Sequence, residues 1–141
     1  AKSSRSPFNA GDTVLLIQVK GIGILVSDNA AEFGFRHNVY GAGKYEFLLI
    51  NTINQLTGDV NFTSDMGNFG DYDAGGSLQL VRVPGYDNAR VIDTLTCQPW
   101  DSATGTGGVL AMIIGNTLTL EADIDVTGKG LKGGTATLGT S

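Results

Sequence analysis

The sequence predicts an all-β protein, an N-terminal barrel or sandwich with one short helix that runs into the first rung of a β-solenoid. Three observations predict it. Apolar runs of strand length, rich in β-branched residues, recur from VLLIQV at residues 14–19 to VLAMII at residues 109–114. Glycine supplies 21 of 141 residues, about twice its usual share, and much of it falls between those runs, where tight turns need it. Near the end, Leu118, Leu120, Ile124 and Val126 stand at even spacings on short stretches divided by polar or glycine residues, the pattern of a solenoid rung that turns corners at small residues.

Residues 1–10 are polar and are expected to fray. Residues 14–19 predict the first strand. Gly21 and Gly23 permit a turn, and residues 22–26 the return strand. The segment 27–33, SDNAAEF, is the best short-helix candidate, with Ser27 or Asp28 as its N-cap. Residues 45–50 read as a buried strand entered through the Gly41–Gly43 turn. Residues 53–56 and 60–62 flank Thr57-Gly58-Asp59 as the arms of a hairpin. Residues 64–77, rich in glycine and aspartate, predict an exposed loop. Residues 78–83 alternate, with Leu78, Leu80 and Arg82 on one face and Gln79, Val81 and Val83 on the other, before Pro84-Gly85 ends the strand. Residues 89–92 and 94–97 read as short strands. The texture changes at residue 105, which divides the chain into a 1–104 module and a glycine-rich 105–141 segment. A lone rung cannot bury its own face, so residues 105–141 are expected to open a structure that continues past Ser141.

Composition narrows the function. Hydrophobic residues make up 41% and charged residues 16% of the chain, which leaves Ser, Thr, Asn and Gly to keep the surface wet. The net charge of −5 argues against nucleic acid, whose binding draws most of its affinity from a basic footprint, and against an anionic membrane surface. No apolar run approaches the ~20 residues that span a bilayer as a helix. One Cys excludes an internal disulfide framework.

Three segments together resemble a known family. They are FNAGDTVLLIQVKG at residues 8–21, YGAGKYEFLLI at residues 40–50, and the long stretch from LQLVRVPGYDNARV through WDSATGTGGVLA to DIDVTGKGLKGG at residues 78–134. They are similar, in order and spacing, to the N-terminal region of very large secreted Bacteroidota surface proteins, many of them gliding-motility or type IX secretion cargo and adhesin-like proteins. The chain departs from that pattern in GLKGG, where the family more often has GFRGG, and at Thr106, which lengthens the usual TGG. The resemblance implies a place at the extracellular cell surface and a structural or adhesive role. It implies partners in the remainder of the same polypeptide, the secretion machinery, extracellular glycans or further copies of the chain. It carries no catalytic residues. It implies that Trp100 plugs a core with its indole N–H bonded to a loop. Asp12-Thr13-Val14, Asp93-Thr94-Leu95 and Asp101-Ser102-Ala103 resemble the O-glycosylation tripeptide of exported Bacteroidota proteins, which makes Thr13, Thr94 and Ser102 candidate acceptors.

The residues themselves give little chemistry. His37 is the only histidine, in the turn-like FRHNVYG, and no GxSxG-type nucleophile motif accompanies it. No enzyme is therefore expected. Cys97, in TLTCQP, reads as a buried inert thiol, and one Cys with one His cannot fill a four-ligand zinc site. Asp65, Asp71 and Asp73 could offer oxygens to Ca²⁺, the only cofactor considered, but they lack the D-x-[DN]-x-[DN]-G register. Asp123 and Asp125 read as the outward side of a rung. Among the aromatics, Tyr72 and Trp100 are the candidates for stacking on a sugar. The readings that follow are a structural module capping a β-rich repeat, a lectin-like module, and a filament subunit.

Overall fold

The computed structural model describes residues 8–24, 31, 36–63 and 72–132. These residues form eight strands and, among them, no α-helix: β1 (Thr13–Gln18), β2 (Ile22–Ile24), β3 (Arg36–Val39), β4 (Tyr45–Ile53), β5 (Val60–Phe62), β6 (Leu78–Arg82), β7 (Gly85–Val91) and β8 (Ile113–Leu120). The expected helix at 27–33 lies outside the described residues, save for Ala31 in a turn. The protein is all-β over what is described. Its largest sheet is open, with strand order β5-β4-β1-β6.

VLLIQ becomes the central strand because both of its faces are apolar. β1 pairs antiparallel with β4, Val14 facing Leu48 and Leu16 facing Glu46, and with β6, Val14 facing Arg82 and Leu16 facing Leu80. Residues opposite one another share a face. Val14, Leu16, Leu48 and Ile50 therefore form the buried core, and Phe8, Val60, Phe62, Tyr72, Leu78 and Leu80 pack against it. At the start of β1, Asp12 accepts the Asn9 backbone N–H at 2.8 Å and pairs with Arg82 at 2.6 Å. Those two contacts hold its carboxyl below the usual aspartate range.

Two expectations are corrected. The hairpin arm predicted at 53–56 does not exist as a separate strand: β4 continues unbroken to Ile53 and is itself the first arm, paired with β5. The Asn54 side chain ends it by accepting the backbone N–H groups of Leu56 and Thr57, which leaves Leu56 96% exposed. The second concerns the predicted loop at 64–77. Residues 64–71 lie outside the described residues; of the rest, Asp73 and Gly75 are exposed as expected, whereas Gly76 is tucked inward. Asp73 caps a 3₁₀ turn at Ala74–Gly76 by accepting from the Gly75 N–H, and Gly76 is buried. A Cβ at Gly76 would collide with the Gln18 amide and sit 2.7 Å from the Lys20 carbonyl.

That amide is fully buried. Gln18 Nε2 donates to the carbonyls of Lys20 at 2.7 Å and Tyr40 at 2.5 Å, while Oε1 accepts the Asp73 N–H at 2.8 Å. Three chain segments are thus tied at one side chain. On the opposite face of the sheet, Gln79 does the same for the C-terminal part. Its Nε2 donates to the Gly107 carbonyl at 3.2 Å and its Oε1 accepts the Gly107 N–H at 3.0 Å. Gly107 has φ of +94° and lies so close to the Pro99 carbonyl that no Cβ fits.

After Pro84 the pairing changes sense. β7 and β8 run parallel, and their partnership continues beyond the strands. Gly85 faces Ile113 and Tyr86 faces Ile114; after a bulge Ala89 faces Leu118 and Val91 faces Leu120. Leu95 then bridges Ile124, donating to the Asp123 carbonyl and accepting from the Asp125 N–H, both at 3.0 Å. That slanted pair of bonds marks a parallel ladder. Trp100 N–H donates to the Lys129 carbonyl at 2.7 Å. From Asn88 to Val91, and again at Leu95, the partner is 29 residues further on. The chain therefore makes one complete circuit and lies down on itself, and the ladder passes across position 104.

Removing either buried amide should leave backbone groups unpaired. Gln79→Leu is expected to cost about 2 kcal/mol or more and Gln18→Leu about 3 kcal/mol or more, whereas Gln98→Ala, exposed, should stay within about 0.5 kcal/mol. Urea unfolding of the three variants checks this.

Candidate functional site

The two parallel stretches carry the same apolar ladder, and the difference in its cover marks the site. On the first, Val91 is buried and Ala89, Leu95 and Cys97 are half-buried. Their counterparts on the second are Leu118, Leu120, Ile124 and Val126, which stand 38%, 56%, 40% and 45% exposed. The first stretch has a layer over it; the second has its apolar row turned to solvent. One edge of β8 bonds to β7. Beside the ladder, Asn116 Nδ2 donates to Asn88 Oδ1 at 3.1 Å, and Arg90 pairs with Glu121 at 2.5 Å. These contacts between successive layers favour the observed register over a slipped one.

Asp123 and Asp125 of the EADID stretch are exposed. Asp125 accepts the Thr127 N–H at 2.8 Å, and that threonine, with Lys129 nearby, holds its carboxyl below the usual range. They form no metal cluster; among the described residues there is no group of three potential metal ligands. Of the calcium candidates, Asp65 and Asp71 lie outside the described residues, and Asp73 is the cap of the 3₁₀ turn. His37 lies on β3, whose backbone pairs with β2. Cys97 is a free, half-buried thiol. It lines a groove of about 780 Å³ between β6 and the first circuit, together with Val81, Thr106 and Leu110.

The candidate glycan contacts are apart. Tyr72 packs on the sheet core. Burial first, and a hydrogen bond to the Glu46 carboxylate second, push its phenol up to about 12. Trp100 is half-buried at the corner of the first circuit and lines an open cavity instead of plugging a core. Of the candidate acceptors, Thr13 is half-buried on β1, while Thr94 and Ser102 are exposed. Ser102 sits in the turn closed by Asp101 and Thr106. The Asp101 carboxylate accepts from Ala103 N–H at 2.9 Å and Thr104 Oγ1 at 3.0 Å, which holds it below the usual aspartate range.

Sequence reading missed the first layer of the ladder. Its signal is present: Val91, Leu95 and Cys97 have the spacing of Leu120, Ile124 and Val126. Comparison with known proteins does not extend this picture, since no family model, curated protein or solved structure matches the chain.

The folded protein holds the Tyr72 proton more tightly than the unfolded chain. That contribution to stability is constant below pH 10, the ordinary tyrosine value, and is lost as pH rises from there through about 12. Ultraviolet titration of the phenols should show a late-ionising group that Tyr72→Phe removes; a late step that survives the substitution would assign it elsewhere.

Proposed function

We propose that this chain is a non-catalytic structural module of an exported cell-surface protein, and that it seats a β-solenoid built from further residues of the same polypeptide. The single observation behind the reading is the uncovered row Leu118, Leu120, Ile124 and Val126, lying in register over its own covered equivalents. A layer that repeats at a fixed interval and leaves its last apolar row in water is satisfied by another layer of the same kind. In this reading the four-stranded sheet is one wall of a sandwich-like module. The first circuit clamps to its Gln79 face, and later circuits stack on β8. The module thereby closes one end of a solenoid whose start would otherwise be an open parallel edge, a site for unwanted strand pairing.

Location and role rest on other support. The segments that resemble adhesin-like Bacteroidota proteins, and a surface poor in charge and rich in Thr, Asn and Gly, favour a secreted scaffold that displays an adhesive repeat. The same free edge supports a second reading, a filament subunit in which a further copy occupies β8.

Hydrogen exchange separates these readings. The β8 amides should exchange faster in the 141-residue chain than in the polypeptide carrying its native downstream sequence. Equal exchange in the two, or a reading frame that stops at Ser141, sinks the solenoid reading. Light scattering that shows mass rising with concentration for the 141 residues alone would select the filament.

A further inference from the structure

A second feature lies at the corner where the end of β1 meets both circuits. Here a cavity of about 500 Å³ opens between Lys20, the Trp100 corner of the first circuit, and Leu131-Lys132 of the second. Its size falls within the roughly 300–1,000 Å³ typical of small-molecule sites. Trp100 is the only tryptophan of the chain, and its backbone is held from both sides. Its N–H bonds to Lys129, the next residue bonds to Thr106, and Gly108 N–H donates to the Gln98 carbonyl. A Cβ at Gly108 would come within 3.0 Å of the Lys129 carbonyl. The backbone that carries the indole is thus fixed before any ligand arrives, which lowers the cost of binding.

The charges around it are unusual for this chain. Among the described residues, Arg82 and Arg90 are engaged by Asp12 and Glu121, but no carboxylate lies within ion-pair distance of Lys20 or Lys132. Lys20 Nζ stands 6.0 Å from the centre of the indole ring, the outer limit of a cation–π contact, so the ammonium faces the ring across a gap. Ser102 adds a hydroxyl. Asp101 also lines the cavity, but its carboxylate is engaged within its own turn by the Ala103 N–H and Thr104 Oγ1. The aromatic plate, two ammonium groups and a hydroxyl that remain suit a ligand with a flat apolar face and a carboxylate. With only two lysines here and a net charge of −5, a densely charged polyanion such as nucleic acid is disfavoured.

We propose that this corner binds a carboxylated pyranose, a uronic acid unit of an acidic glycan. The sugar ring stacks on Trp100 and its carboxylate lies between Lys20 and Lys132. The site does not depend on whether β8 carries further layers. Because Trp100 is the sole tryptophan, its fluorescence reports the site directly.

The test is a fluorescence titration of the full chain with trigalacturonate, with maltotriose as the neutral comparator. The expected result is a saturable change in emission with trigalacturonate, weakened by added salt. Binding should be at least about tenfold weaker for maltotriose. The double variant Lys20→Ala/Lys132→Ala should lose about as much, with its unfolding midpoint preserved, and Lys20→Arg/Lys132→Arg should retain binding. Absence of saturation by trigalacturonate overturns the proposal, as does an equal response to maltotriose. Undiminished binding by the double alanine variant does so too. Trp100→Ala is not used, because its corner holds the two circuits together.

Discussion

The two hydrogen bonds between the Gln79 amide and Gly107 hold the C-terminal part of this molecule to its sheet. Gln79 lies on the second face of β6, where the neighbouring positions Val81 and Val83 are apolar, and its own burial is tolerable only because both ends of the amide are satisfied. Gly107 in turn must be glycine, both for its backbone angle and for the Pro99 carbonyl pressed against it. From that point the position of the first circuit follows, and from the first circuit the register of the second.

A consequence is that the sheet is asymmetric. Its core face is closed by Phe8, Tyr72 and the β5 side chains. Its other face is covered over β1 and β6, where Leu15 and Val83 are buried, but open over β4, where Tyr45, Phe47 and Leu49 are 63%, 55% and 43% exposed. Cover on that face thus follows β6, which carries Gln79, and fails toward β4. The sheet with its clamp and the parallel pair with its open row are two structures of different logic joined at Pro84. One is closed by long-range pairing, while the other leaves an apolar row uncovered.

The strands of the first kind were legible because alternation and β-branching are local. VLLIQ, YEFLLI and LQLVR each announced itself, and the alternation of 78–83 correctly separated Leu80 from Gln79. Their order was not legible, because pairing β1 with both β4 and β6 joins segments far apart in sequence. Leu56 misled through its hydrophobicity; the Asn54 amide, a turn signal, outweighed it. The parallel ladder escaped for two physical reasons. The bulge between Tyr86 and Asn88 changes the interval from 28 to 29, and Pro99 and Trp100 interrupt the first layer where the second runs through Gly128-Lys129-Gly130. Trp100 stood out by its chemistry. Lys20 and Lys132 did not, since nothing in one sequence reveals that residues from opposite ends of the described chain meet at one corner.

The change from antiparallel to parallel pairing at Pro84 also gives the molecule a direction in time. The second circuit finds its template in the first, and the first finds its template in β6 and Gln79. A ribosome delivers the amino end first, so the sheet is available before the circuit that must be laid on it. Assembly can then proceed like coiling rope on a deck, the second loop settling on a finished first.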